Sequence, residues 1–176
     1  YIPLPINTDE IKPTAVYDGK ARFFMGVQKS KLHLKGCDVM SEVLNDICNQ
    51  YKDICEFKTV ESLPYASYMK VMDGCNILVD QLYSYSPGMN ALLGMAKGMV
   101  TISGGEPEIY SILNETENTP IINPIPDKND VYDKILNLVK NIEAIEEIGK
   151  NSRKFVEQHH NYIDVAMKYI DFWRSR

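Results

Sequence analysis

The stretch that decides the fold is Met99-Val100-Thr101-Ile102-Ser103-Gly104-Gly105-Glu106-Pro107-Glu108-Ile109-Tyr110. Its first five residues are mostly apolar and predict a short buried strand. The two glycines allow a tight turn, and Pro107 suits the first turn of a helix. The stretch therefore predicts a strand that leads through a short loop directly into a helix.

The same alternation of apolar runs and amphipathic stretches extends in both directions. Strands are predicted at 21–27, 54–60, 76–80, 99–103 and 120–123. Helices are predicted at 38–50, 64–73, 89–97, 107–113 and 127–140, followed by two C-terminal helices at 143–157 and 161–174. Because strands alternate with helices through short connections, the pattern predicts an α/β fold. We expect a Rossmann-like parallel sheet with helices on both faces, plus the C-terminal helices.

Length and composition indicate one globular domain and exclude several partner classes. The 176 residues include 44% hydrophobic and 24% charged residues, which is typical of a folded domain. The formal net charge of −5 without a basic stripe argues against nucleic acid as a partner. No apolar run is long enough for a transmembrane helix. We expect residues 14–176 to form a single domain of a longer protein, with the proline-rich residues 1–13 as an interdomain linker.

The cysteines, histidines and acidic residues predict no metal site and no cofactor. The four cysteines, Cys37, Cys48, Cys55 and Cys75, have no C-x-x-C spacing. Because a domain of this size needs no disulfide, we predict four reduced, partly buried thiols. His33 has no ligand partner, and His159-His160 is expected at the surface. Asp38 and Asp80 have no evident partner. No G-x-G-x-x-G, Walker or nucleophile motif is present.

Ligands of open parallel sheets bind at the carboxyl ends of the strands, which directs attention to the loops there. The loop after the first predicted strand carries Lys29, Lys31 and Lys35 just before a helix. Lysines beside a helix N-terminus form a plausible site for a diphosphate. The alternative is a solvated basic loop, because lysines are common at surfaces.

Two further loops are candidates for binding. Residues 83–90 lead into a helix whose first amides could bind phosphate or sugar hydroxyls, unless the tyrosines there only close the core. In the turn after the fourth strand, the amides of Gly104 and Gly105 could contact an anionic or hydroxylated ligand. The alternative for that turn is a helix start in which Glu108 lies favourably near the positive helix end.

Four segments, taken in order, resemble the C-terminal domain of GT-B glycosyltransferases of family 4, also called glycosyl transferases group 1. Residues 1–7 resemble the interdomain segment V-I-P-N-G-V-D. Phe23-Phe24-Met25-Gly26, followed by Lys35-Gly36, resembles the first strand and the K-G helix start. Residues 91–98 resemble L-L-E-A-M-A-C-G, and residues 104–108 match G-G-x-P-E.

The resemblance implies one half of a GT-B fold that binds a UDP- or GDP-linked sugar and no metal or cofactor. The sugar would pass to an acceptor held by an N-terminal domain of the same chain, as in polysaccharide biosynthesis. The final helix, ending near Trp173, would pack on that domain. The implied location is cytoplasmic, with peripheral association at the inner membrane face and a membrane-associated acceptor as options. This chain alone is expected to be inactive.

The resemblance also implies site residues, although no catalytic residue is assigned. Lys35 corresponds to the lysine that holds the donor diphosphate, and Lys29 or Lys31 would replace a missing arginine. Contacts to the donor sugar and nucleotide are implied for two segments, namely Tyr85, Gly88, Met89 and Asn90, and Gly104, Gly105, Glu106 and Glu108.

The chain departs from the family at the two carboxylates of the E-x7-E motif. These positions correspond to Tyr85 and Leu93, which are not acidic. Asn90, Glu106 or Glu108 would have to replace them. The missing carboxylates motivate one alternative function, a degenerate non-catalytic binding domain. A nucleotide-sugar 2-epimerase-like enzyme of the same fold is a second alternative.

Overall fold

A computed structural model describes residues 1–175 of the chain, which form five strands and seven helices. The strands are β1 (Ala21–Val27), β2 (Cys55–Glu61), β3 (Ile77–Val79), β4 (Val100–Ile102) and β5 (Ile121–Ile122). The helices are α1 (Cys37–Gln50), α2 (Tyr65–Met72), α3 (Met89–Ala96), α4 (Pro107–Leu113), α5 (Lys128–Lys140), α6 (Ala144–His159) and α7 (Tyr162–Arg174). The predicted alternation of strands and helices is confirmed.

The five strands form one parallel sheet in the order β2-β1-β3-β4-β5. Strand β1 pairs with β2 on one side and β3 on the other, so that Phe23 lies between Phe57 and Ile77. The order of strands reverses direction at this point of the sheet. The crevice at the carboxyl ends of β1 and β3 is therefore the topological switch point, where ligands of such sheets bind.

Helices cover both faces of the sheet, as predicted. Alternate side chains of β1 lie on opposite faces of the sheet. Phe23 packs in the cluster that includes α1 and α5, and Phe24 packs in the cluster under α2 and α3. α6 lies beside α3, where Phe155 joins the buried side chains of Leu92 and Met95. Among residues 1–175, no helix is both long and apolar enough to span a membrane.

The N-terminal segment lies against this domain. Ile6 forms a bridge with Asn161 and is buried. The guanidinium of Arg153 donates hydrogen bonds of 2.6–2.8 Å to three backbone carbonyls, those of Thr8, Ile11 and Ala96. Residues 6–11 are thus held by α6 and the end of α3, and the linker boundary at residue 13 stays a prediction.

The prediction of four reduced thiols is wrong for one pair. Cys48 in the last turn of α1 and Cys55 at the start of β2 form a disulfide, with their Cα atoms 5.0 Å apart. The turn between α1 and β2 returns the chain to within disulfide reach, which the seven-residue spacing did not reveal. Cys37 and Cys75 are free and buried, as predicted.

The expectation of a surface location for the two adjacent histidines is also wrong. His160 is 2% exposed, and its Nδ1 lies 2.8 Å from the carbonyl of Leu4. His159 Nε2 lies 2.7 Å from Glu115 Oε2. Both rings lie against Phe155 in tilted orientations, because the end of α6 packs on the buried cluster that includes Ile6, Leu92 and Tyr110 rather than facing solvent.

Candidate functional site

Four polar side chains from different elements meet at the switch point. Lys35 ends the loop between β1 and α1, Asp80 follows β3, Asn90 lies in the first turn of α3, and Tyr68 lies in α2. We call this set the Asp80 network. It links both sides of the crevice at which the strand order reverses.

Asp80 is the centre of the network. Its carboxylate is buried at 3% exposure, and its Oδ1 lies 3.6 Å from Lys35 Nζ. The Asn90 Nδ2 donates a 3.1 Å hydrogen bond to the same oxygen, and the Tyr68 hydroxyl donates to Asn90 Oδ1 at 2.6 Å. A buried carboxylate requires such partners. The expectation that Asp80 lacks a partner is therefore wrong.

Asp38, the other aspartate without an evident sequence partner, is also paired. Its Oδ2 lies 2.7 Å from His33 Nδ1 at the exposed start of α1. The hydrogen bond from His33 lowers the pKa of Asp38 below its ordinary value. This pair lies on the outer side of the loop and is separate from the Asp80 network.

The position of Tyr68 depends on a glycine in β1. A Cβ on Gly26 would lie 2.6 Å from Tyr68 Cε2, so only glycine leaves room for the ring. The ring also makes an edge-on contact with Phe24, with centroids 5.0 Å apart. Burial raises the pKa of Tyr68 to about 12, and the negative charge of Asp80 acts in the same direction. The hydroxyl therefore remains a proton donor to Asn90 at neutral pH.

A cavity of about 250 Å³ opens above the network. Its walls come from the loops after β1 and β2 and from α2 and α3, and they consist of Gly26, Val27, Gln28, Lys35, Val60, Ser62, Leu63, Tyr68 and Asn90. Ser62 has a φ of 53°, a left-handed conformation that is uncommon for a residue other than glycine. Such backbone strain clusters at binding sites. The loop after β2 is a part of the site that the sequence interpretation missed.

The structure separates the three predicted lysines. Lys35 lines the cavity. Lys29 is exposed and forms an ion pair with Glu61 at 2.8 Å, which raises the pKa of Lys29. Lys31 is exposed at the end of a 3-10 turn. The only one of the three that reaches the Asp80 network is therefore Lys35.

α3 begins directly beside Asp80. Gly88 is the N-cap residue of this helix, and a Cβ at Gly88 would lie 3.6 Å from Asp80 Oδ2. Met89 and Asn90 occupy the first turn, and Asn90 faces the cavity. The positive end of the α3 dipole thus lies at the same crevice as the Lys35 ammonium.

The turn after β4 has a packing role. A Cβ on Gly104 would lie 2.1 Å from the carbonyl oxygen of Ser84, so the two backbones touch. The backbone N–H of Glu106 donates to the Tyr85 carbonyl at 3.1 Å. The turn thereby holds the loop that follows β3. The ligand contacts predicted for this turn stay predictions.

Two of the remaining predicted residues line a second cleft. The Gly105 amide donates to Asn123 Oδ1 at 3.2 Å, while Tyr85 and Glu106 line a cleft of about 330 Å³. Glu108 is exposed on α4. Leu93 is only 8% exposed and packs in the core with Phe24, Met72, Cys75, Leu78 and Met99. The position of Leu93 therefore contributes to packing.

Comparison with known proteins identifies the fold. No protein-family model matches the sequence, and no curated protein matches it. Sucrose-phosphate synthase from Thermosynechococcus elongatus is similar with a TM-score of 0.69 and 16% identity, over 99% of this chain and 51% of that chain. Anabaena HepE in complex with UDP has a TM-score of 0.69 and 10% identity, over 99% of this chain and 57% of that chain.

A third similar structure is a separate domain. The C-terminal domain of LpcC, a glycosyl transferase group 1 family protein from Francisella tularensis, has a TM-score of 0.55 and 15% identity. The match covers 89% of this chain and 98% of that domain. This chain spans about half the length of the first two proteins. At these identities the likeness establishes the fold, which is one half of the GT-B architecture.

Proposed function

We propose that this chain is the donor-binding domain of a glycosyltransferase. Its ligand is a nucleoside-diphosphate sugar, linked to UDP or GDP. The observation that carries the proposal is the convergence of Lys35 and the N-terminus of α3 at the switch point. Support comes from the shared fold with HepE, whose structure contains UDP.

The chemical role of this site is electrostatic. When the sugar leaves, negative charge develops on the departing nucleoside diphosphate. The Lys35 ammonium and the first amides of α3 stabilise that charge in a partly enclosed cavity. One such contact contributes about 2–4 kcal/mol to transition-state stabilisation. Lys29 and Lys31 add a weaker positive potential, and Glu61 offsets part of it.

The walls of the cavity suggest how the rest of the donor binds. Val60 and Leu63 offer apolar surface for a nucleobase beside the left-handed backbone of Ser62. Contacts from the loop after β3 and the turn after β4 to the sugar and ribose remain part of the proposal, and involve Tyr85, Gly88, Met89, Gly104, Gly105, Glu106 and Glu108.

The acceptor site belongs to an N-terminal domain under this proposal. α7 has one buried residue, Val165, within its described length. Apolar side chains along it are exposed, including Ile163, Met167 and Trp173. We place the N-terminal domain against this helix. The enzyme would act in the cytoplasm, in polysaccharide biosynthesis, on an acceptor that can be membrane-associated, and this chain alone would transfer no sugar.

Calorimetric titration of the protein with UDP, GDP and ADP tests the proposal. We expect saturable binding of one of the three nucleotides. Lys35→Ala should weaken this binding about tenfold to a hundredfold, the usual loss for a hydrogen bond to a charged group. Lys154→Ala, an exposed lysine on α6, is the matched control and should leave the affinity unchanged.

Two outcomes would contradict the proposal. One is the absence of saturable binding of all three nucleotides at millimolar concentration. The other is an equal affinity of the Lys35→Ala and Lys154→Ala variants, which would remove Lys35 from the diphosphate site.

A further inference from the structure

The second cleft opens at the same edge of the sheet as the cavity above the Asp80 network, which we call the donor cavity. Its volume is about 330 Å³, against about 250 Å³ for the donor cavity. The loops after β3, β4 and β5 form its walls, whereas the donor cavity lies between the loops after β1 and β2 and the helices α2 and α3. The two have no lining residue in common. The second cleft is therefore a separate space that the diphosphate site leaves free.

The walls of the second cleft are aromatic and apolar. Tyr83 and Tyr85 come from the loop after β3, and Pro124 and Pro126 come from the loop after β5. Tyr85 is 80% exposed and Tyr83 is 49% exposed, so that both leave apolar ring surface in water. Among the described residues that line the cleft, Glu106 carries the only charge. The cleft thus combines apolar faces with a single carboxylate.

Backbone hydrogen bonds hold these walls in place. The amide of Leu82 donates to the carbonyl of Lys35 at 2.7 Å, which ties the base of the cleft to the start of α1. The amide of Glu106 donates to the carbonyl of Tyr85 at 3.1 Å, which joins the two loops that carry these residues. Leu82 itself is buried. A preformed site of this kind loses little freedom when a ligand binds.

The composition of the walls selects a neutral ligand with an apolar face and hydroxyl groups. An anion would find no cation in the cleft and would be repelled by Glu106. A wholly apolar ligand would cover the Glu106 carboxylate without giving it a hydrogen bond, which is costly. A pyranose ring meets both conditions, because its C–H face can lie on a tyrosine ring while its hydroxyls donate to the carboxylate.

The order of the strands places the second cleft at the sugar end of the donor. β2, which carries the proposed nucleobase contacts Val60 and Leu63 at its end, lies on one side of β1, and β3, β4 and β5 lie on the other. Lys35 follows β1, and a Cβ on the adjacent Gly36 would lie 3.2 Å from Tyr83 Cε2. A donor with its base at β2 and its diphosphate at Lys35 therefore directs its sugar toward the cleft.

The cleft also extends beyond the reach of the donor sugar. The contacts proposed for that sugar end at the loop after β3 and the turn after β4, whereas the cleft continues to Pro124 and Pro126 after β5. Sugar transfer requires the acceptor atom to come within about 3–3.5 Å of the donor sugar. A neutral pyranose in this position is therefore placed as the acceptor.

We propose that the second cleft is an acceptor subsite, in which a pyranose ring lies on Tyr83 and donates its hydroxyls to Glu106. This inference rests on the proposed function, and it gives this domain one wall of the acceptor site that the proposed function leaves to the N-terminal domain. Tyr85 and Glu106 then form the border at which the donor sugar and the acceptor meet.

NMR titration with methyl glycosides tests the subsite. Backbone amide shifts in two-dimensional spectra give both the affinity and the location of binding. The ligands are the methyl glycosides of glucose, galactose, mannose and N-acetylglucosamine, each added with and without the nucleotide that the protein binds. We expect at least one glycoside to bind in the millimolar range in both conditions, with shifts centred on Tyr83, Tyr85 and Glu106.

Tyr83→Ala and Tyr83→Phe identify the contact that carries this binding. Tyr83→Ala removes the ring and should weaken glycoside binding about fivefold, with nucleotide affinity changed less than about twofold. Tyr83→Phe keeps the ring and should retain most of the affinity. Tyr169→Ala, at an exposed tyrosine of α7, is the matched control and should bind the glycoside as the wild type does.

Cyclohexanol tests the class of ligand, because it has a ring of similar size without the rim of hydroxyls. It should bind more weakly than the best glycoside, since it offers the carboxylate a single donor. Binding of cyclohexanol as tight as that of the glycoside would make the cleft a general apolar site and overturn the saccharide assignment.

The remaining outcomes separate this inference from the proposed function. Failure of the wild-type protein to bind any nucleotide contradicts the proposed function. Nucleotide binding without saturable binding of any glycoside overturns the acceptor subsite alone. The subsite is also wrong if the nucleotide displaces the glycoside, if Tyr83→Ala weakens nucleotide and glycoside alike, or if Tyr83→Ala and Tyr169→Ala bind the glycoside equally.

Discussion

The glycine turn after β4 and the Asp80 network lie at the same edge of the sheet but differ in what holds them. In the turn, Gly104 touches Ser84 backbone to backbone, and the Glu106 amide binds the Tyr85 carbonyl. In the network, side chains from four elements meet around one buried carboxylate. The turn fixes where a loop lies, and the network determines which chemical groups face the cavity.

This difference teaches that a conspicuous motif and a binding site need not coincide. The glycine turn is legible in the sequence because it needs particular residues at adjacent positions. The network is dispersed over 56 positions, from Lys35 to Asn90, and only the fold brings it together. The comparison predicts that changes in the turn act mainly on stability, whereas changes in the network also act on nucleotide binding.

The largest expected effect is that of Gly104→Ala. Its Cβ would lie 2.1 Å from the carbonyl oxygen of Ser84, and backbone atoms cannot move aside as a flexible side chain can. We expect the free energy of unfolding to fall by about 3 kcal/mol, at the upper end for overpacking. Urea unfolding followed by circular dichroism measures this effect.

Gly74→Ala serves as the control for Gly104→Ala, because its Cβ meets nothing closer than 3.9 Å. Equal stability of the two variants would show that the turn can open without cost. A stable Gly104→Ala protein that no longer binds nucleotide would break the comparison, since binding rather than stability would then be the main role of the turn.

Glu115→Gln is expected to have the next largest effect, at the other end of α4. The Glu115 carboxylate accepts hydrogen bonds of 3.0 Å from the amides of Asn118 and Glu117 and lies 2.7 Å from His159 Nε2. The Asn118 amide, then His159, lower the pKa of Glu115 to about 2. The substitution should reduce the free energy of unfolding at pH 7 by about 2 kcal/mol.

The pH dependence of this effect has a definite sign. A carboxyl group with a lowered pKa stabilises the fold above its ordinary pKa of 4.5, and that contribution is lost as the pH falls toward 2. Unfolding measured from pH 7 to pH 2 should therefore show the difference between Glu115→Gln and wild type shrinking with acidity. Glu117→Gln, an exposed neighbour, should show no such trend.

Much of the fold could be predicted from the sequence because each element carries its own local signal. The run Ile77-Leu78-Val79 predicts an interior strand without any knowledge of its neighbours, and the structure places it at the centre of the sheet. The helix at 107–113 is confirmed with the bounds that Pro107 indicated. Apolar periodicity and helix-start residues involve only a few neighbouring positions, so they can be recognised from the sequence alone.

The candidate site could be predicted only where a charge follows a strand. Lys35 was identified from its loop and its helix, and it lines the cavity. Asp80 also follows a strand, but its role depends on Lys35 and Asn90, and their side chains come close to Asp80 only in the folded structure. The left-handed Ser62 loop gave no compositional signal, although its place after β2 could have directed attention to it. The Cys48–Cys55 disulfide also gave no signal in the sequence, because only the folded turn between α1 and β2 shows that the two residues meet.

Tyr68→Phe is expected to have the smallest effect and is the most informative about the network. The hydroxyl donates a 2.6 Å hydrogen bond to Asn90 Oδ1, and its removal should cost about 1 kcal/mol of unfolding free energy, since the ring and its contact with Phe24 remain. Tyr65→Phe, an exposed tyrosine of the same helix, is the matched control.

Alkaline unfolding gives Tyr68→Phe a second readout. Because burial raises the pKa of Tyr68 to about 12, its contribution to stability is fully present below pH 10 and is lost as the pH rises toward 12. The stability of the wild type should therefore fall more steeply than that of Tyr68→Phe between pH 10 and pH 12. Nucleotide affinity should weaken in Tyr68→Phe by about threefold, through a less firmly held Asn90. An unchanged affinity together with the expected loss of stability would show that Tyr68 contributes to packing and not to nucleotide binding. The contrast between the network and the glycine turn would then depend on Lys35 and Asp80 alone.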